Sequence, residues 1–175
     1  ARHPPKPSSA ASDVYKRQIS KPTEKWERPD GGKRGINEGP SFVDFQGIRG
    51  IVYSAHGSWT CDYKLGLLNL TGSNPLDPKS WTKRDSPLLS SDRSKGGPYG
   101  PGHASFVPTN DGRILCMFHC TFNVDDGWEN RKARVMCLNA QDFSPSADCC
   151  CCATGETPGD RPGGLLGKII NAVKK

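Results

Sequence analysis

Apolar and polar positions alternate in short runs between residues 36 and 145, and almost nowhere else along the chain. Ser41-Phe-Val-Asp-Phe45 has a two-residue period, which predicts a strand with one buried face. Gln46-Gly47-Ile48-Arg49-Gly50 reads as a turn and Ile51 to Ser54 as the returning strand, so this stretch predicts a hairpin. Lys64 to Leu70 predicts a third strand and Trp81 to Lys83 a short fourth. Ala104 to Val107, the turn Asn110-Asp111-Gly112 and Arg113 to Cys120 repeat the hairpin pattern, and Ala133 to Leu138 adds a last strand. Four antiparallel strands, a long loop and a new set suit the blades of a β-propeller. They suit a β-sandwich equally, and period alone does not separate the two.

The flanks read differently. Residues 1–35 carry Pro, Ser, Lys and Arg without a sustained apolar period, which predicts a disordered arm. Within it, Ser8 to Gln18 (SSAASDVYKRQ) resembles a translated adapter scar and carries no fold information. Residues 146–175 form a Cys-rich linker and a short basic tail. In that tail Leu165, Leu166, Ile169, Ile170 and Val173 fall on one helical face. This predicts a terminal amphipathic helix that either docks on the core or acts at a membrane surface.

Composition narrows the class. Twenty Gly and fifteen Pro in 175 residues suit an all-β chain with many turns better than a helical one. No run approaches the ~18 apolar residues of a membrane span, and residues 1–12 have no apolar core of a signal peptide. The net charge is +6, much of it from the two ends, and no basic run interleaves with aromatics, which argues against nucleic acid. Of eight cysteines, Cys61, Cys116, Cys120 and Cys137 lie in strand-like text and read as buried small apolar residues. Cys149, Cys150, Cys151 and Cys152 are adjacent, and neighbouring side chains in extended backbone point apart, which disfavours one tetrahedral zinc.

Two short motifs carry candidate chemistry. Ile36-Asn37-Glu38-Gly39-Pro40 puts a carboxylate at a tight entry to a strand. Tyr99-Gly100-Pro101-Gly102-His103-Ala104 shapes a turn that delivers a histidine before another. Either motif alone is compatible with a solvated loop residue. No Gly-x-Ser-x-Gly elbow is present, which disfavours a serine hydrolase.

With these motifs the ordered blocks NEGP, IVYSAHGSWTCDYKLGLL, LDPKSWTK, YGPGHASF, FH and GW followed by RKARV resemble glycoside hydrolase family 43 from about Gly35 to Phe143. The similarity is to members acting on α-L-arabinofuranosyl linkages. The resemblance implies a five-bladed β-propeller and a secreted enzyme acting on arabinan or arabinoxylan. It implies Glu38 as general acid in an inverting hydrolysis. It implies His103 as the channel histidine beneath the sugar, holding a water or a metal ion, commonly calcium. Trp59, in the loop after the hairpin, offers a ring for sugar stacking and reads equally well as a rim tryptophan. The chain departs from the family at Ala104, where Asn is common, and at Phe118-His119-Cys120, where Tyr-His-Ala is common. The family's general base lies upstream, and neither Asp13 nor Asp30 carries its motif. A blade takes about 40 to 50 residues, so the roughly 110 matching residues predict two to three blades and a catalytically incomplete fragment. A carbohydrate-binding remnant without catalysis is the competing reading.

Overall fold

A computed structural model describes residues 18–29, 32–45 and 47–144. Seven antiparallel strands make two sheets among these residues. β1 (Asn37–Phe45), β2 (Ile48–Ala55), β3 (Lys64–Leu70) and β4 (Trp81–Lys83) form the first, in chain order. β5 (Tyr99–Pro108), β6 (Arg113–Thr121) and β7 (Lys132–Asn139) form the second, also in chain order. The expected all-β class and its antiparallel meanders are present. No closed ring forms among the described residues.

The hairpins follow from their turns. Phe45 pairs with Ile48, so only residues 46 and 47 connect β1 to β2, and Gly47 takes the positive φ (89°) that such a tight connection needs. The expected five-residue turn is shorter because Ile48 to Gly50 already pair in β2. Asp111 and Gly112 turn β5 into β6, with Gly112 at φ 80° and the Asp111 carboxylate bound by Arg113 and Thr109.

Both sheets share one core. Val43, Val52, Leu65 and Leu67 of the first sheet meet Ile114, Cys116, Phe118 and Leu138 of the second in a single buried cluster. Phe143, 2% exposed, touches Phe45 on one side and Phe106 on the other. β5 packs across β1 with β2 and β3 beside it, so the inner strand of each sheet faces the other.

Two expectations are corrected here. Packing does not start at residue 36. Residues 25–27 form a 3-10 turn, Trp26 stacks on Tyr53 at 6.3 Å, and Glu27 is fully buried at 0% exposure. The reason is a polar pattern that apolar periodicity does not register. Lys83 Nζ (2.8 Å to each carboxylate oxygen), Asn37 Nδ2 (2.8 Å), the Tyr53 hydroxyl (2.8 Å) and the Glu24 amide (2.8 Å) all donate to Glu27. Burial pushes this carboxyl up, and those bonds, led by Lys83, outweigh it and hold it below the usual range. The second correction is Cys137, which is buried as expected but disulfide-bonded rather than a free apolar filler. Cys116 and Cys120 are free, and burial pushes their thiols up to about 12 and about 11. The amphipathic tail, Cys149 to Cys152, Asp13 and Asp30 lie outside the described residues. No helix among the described residues is long and apolar enough to cross a membrane.

Candidate active site

Glu38 and His103 lie inside strands rather than in loops before them. The glycines and proline around each make β-bulges that keep the strand going while re-aiming a side chain. The β1–β2 register shifts between Glu38 and Ser41, with Gly39 at φ 55°. The β5–β6 register shifts on both sides of Gly102, with Gly100 at φ 57° and His103 itself at φ 49°. A non-glycine residue in that region is uncommon and strained. The His103 amide donates to Ser54 Oγ at 2.8 Å, which ties the bulge to β2.

One hydroxyl joins the two residues. Tyr63, buried immediately before β3, donates to Glu38 Oε1 at 2.6 Å and lies 2.9 Å from His103 Nδ1. A phenol has one proton. With it committed to the carboxylate, His103 Nδ1–H must be the donor to the phenol oxygen, which leaves Nε2 as the acceptor. Burial and the bond to Glu38 push the Tyr63 phenol well up, so it stays a donor. Two glycines make room for this contact. A Cβ on Gly102 would sit 1.8 Å from Tyr63 Cε1, and one on Gly39 would sit 2.8 Å from His103 Nε2.

Around this trio the rings stack. His119 lies 5.8 Å from Tyr63 and 5.7 Å from His103, centroid to centroid and nearly parallel to both. Burial, then Arg131 and His103, pull its pKa down to about 4, so the imidazole is neutral. Arg131 organises the surroundings. Its guanidinium donates to the carbonyls of Ser58, Thr60 and Gly100 and to His119 Nδ1 at 3.1 Å, and it sits 5.2 Å over the Tyr63 ring. An apolar cleft walled by Ile19, Pro40, Ile51 and Leu68 opens on the other side of Glu38.

The structure therefore brings Glu38 and His103 together. Trp59 stays on the rim, 57% exposed with its ring over Gly57, and reaches the cluster only through the loop that Arg131 holds. Sequence reasoning missed Tyr63 and Arg131. Their signal was indirect: glycines beside His103 and Glu38 that only a close neighbour would require. Calcium takes six to eight oxygen ligands, so an ion held at His103 would draw most of them from water. No group of three or more His, Cys, Asp or Glu converges among the described residues.

Comparison with known proteins adds a family. The model for glycosyl hydrolases family 43 matches residues 9–145. An extracellular exo-α-(1→5)-L-arabinofuranosidase of Streptomyces avermitilis is 38% identical over 104 residues, covering 58% of this chain and 21% of that protein. α-L-Arabinofuranosidase 43 of Humicola insolens is 36% identical over 95 residues, covering 54% of this chain and 19% of that protein. The crystal structure of an α-L-arabinofuranosidase from Lactobacillus brevis superposes with a TM-score of 0.58 at 27% identity, over 74% of this chain and 41% of that one. The chain thus spans about a fifth of the length of these curated relatives.

Proposed function

The chain belongs to glycosyl hydrolases family 43, and from this we propose that it serves the hydrolysis of α-L-arabinofuranosyl linkages with Glu38 as general acid. The observation that carries the reading is the Tyr63 hydroxyl gripping both Glu38 and His103. It holds one carboxyl oxygen, Oε1, and leaves Oε2 to hand its proton to the departing glycosidic oxygen. Hydrolysis by inversion needs a second carboxylate about 6.5–9.5 Å away to activate water on the opposite face of the sugar. We assign that role to none of the described residues, and expect little turnover by the chain alone. Arabinan and arabinoxylan outside the cell are the proposed substrates, in keeping with the relatives named extracellular arabinofuranosidases. Any ion bound at His103 would draw most of its shell from water.

The test compares the full chain with Glu38→Gln on arabinotriose binding and on two substrates, arabinan and a dinitrophenyl arabinofuranoside. General acid catalysis is worth about 10²–10⁴-fold, so the variant loses that much on arabinan and little on the activated substrate, while binding is kept. Equal arabinan turnover by both proteins would remove Glu38 as the acid. Failure of both to bind arabinotriose would remove the substrate. Rapid arabinan turnover by the unmodified chain would show that the base is already present. Binding without any turnover on either substrate would favour the competing reading, a carbohydrate-binding role without catalysis.

A further inference from the structure

We infer that Trp128, together with His119, forms a second sugar subsite beside Glu38, which stacks the neighbouring sugar unit of the same arabinose-containing chain. The inference rests on the reading of Glu38 as a glycosidase acid and extends it to a residue with no part in the proton transfer. The cluster does not stop at Arg131. The same guanidinium that covers Tyr63 at 5.2 Å lies 5.6 Å from the Trp128 ring centroid. His119 meets Trp128 edge to face at 5.5 Å. Trp128 is thus fixed on one side by a cation and on its flank by an imidazole, yet it is 55% exposed.

The chemistry on offer is that of a sugar. A rigid indole face takes the apolar C–H face of a saccharide ring, and binding sites pair such surfaces with a few oriented polar groups. His119 supplies the polar group. Arginine has only donors, so the Arg131–His119 bond makes Nδ1 the acceptor and leaves Nε2–H as the donor of the neutral ring. A donor set beside an indole face matches a hydroxyl oxygen on a stacked ring. Arg131 also holds the Ser58 carbonyl, and so fixes the loop of Trp59 at the other side of the guanidinium. A chain of contacts runs from Glu38 through the buried Tyr63 and Arg131 to Trp128.

The test is calorimetric titration of the full chain, of Trp128→Ala and of Trp128→Phe with arabinose, arabinotriose and cellotriose. Trp128→Ala should weaken arabinotriose about five- to tenfold, the worth of one stacked ring, with arabinose changed less than about twofold and Trp128→Phe close to the parent. Far-ultraviolet dichroism and a thermal midpoint unchanged in Trp128→Phe keep the comparison interpretable if the alanine variant fails to fold. Then arabinotriose quenching of Trp emission in the parent, lost in Trp128→Phe, gives the same answer. Equal arabinotriose affinity in parent and Trp128→Ala overturns the subsite and leaves the role of Glu38 standing. Cellotriose binding in place of arabinotriose, with the same Trp128 dependence, keeps the wall and overturns the arabinose reading. Binding of neither trisaccharide overturns both.

Discussion

Tyr63 is the residue on which the candidate site depends most directly. Its single hydroxyl satisfies a carboxylate and an imidazole at once, inside a space cleared by two glycines. Removing it leaves both partners short of a bond in a partly buried place, and each lost bond of this kind is worth about 0.5–1.5 kcal/mol. Tyr63→Phe is therefore expected to lower stability by about 1–2 kcal/mol, read from the urea midpoint at constant m. Loss of order at the His103 ring should follow, visible in its imidazole NMR lines. A variant as stable as the parent, with those lines unmoved, would mean that the hydroxyl holds neither group.

Among the elements, the 3-10 turn of Lys25–Glu27 has the largest consequence for its size. Glu27 is 0% exposed and Lys83 13%, so their ion pair joins a segment before β1 to the edge strand β4. Asn37, bound to Glu27, immediately precedes Glu38, so this buried network also sets where β1 begins. Leaving one member of a buried pair alone costs about 3–5 kcal/mol, whereas replacing both by apolar groups often restores stability. Lys83→Met should therefore destabilise strongly in denaturant unfolding, and Lys83→Met with Glu27→Leu should recover most of the loss. The pH dependence follows in sign. The Glu27 carboxyl sits below its ordinary 4.5, so its stabilisation is complete above about pH 4.5 and disappears as pH falls through the depressed value. Thermal midpoints across acid pH should drop less steeply for the double variant than for the parent.

At the scale of the molecule, the described residues form two meanders with one core, and this dictates how they unfold. Phe143 is the joint: it follows β7 in the chain, has φ 58°, and packs on Phe45 of the first sheet and Phe106 of the second. Truncating a buried phenylalanine costs about 3–5 kcal/mol through lost contacts and the cavity left behind. Phe143→Ala should lower amide protection in β1 and in β5 by the same amount, measured by hydrogen exchange. Loss confined to the second sheet would mean that the sheets are separate units.

Much of the fold was legible from alternation alone. Period-two text marks β1 and short apolar runs mark β2, β3, β6 and β7, because each has residues in the shared core, and Asp111-Gly112 marks a turn because few other residues take its backbone. Glu38 and His103 were legible from the Gly and Pro that surround them. The chain by itself thus determined an antiparallel all-β domain and the two side chains proposed to carry its chemistry. What only the tertiary structure decided is how they meet. Tyr63, His119, Arg131 and Trp128 come from three separated stretches, and no local period records that a phenol on one sheet will reach a bulge on the other. Nor does hydrophobic pattern register Glu27, whose burial is stabilised by donors up to 56 positions away. Short-range patterns report which face of a strand is dry; convergence of polar groups across sheets depends on packing, and packing exists only once the chain has folded.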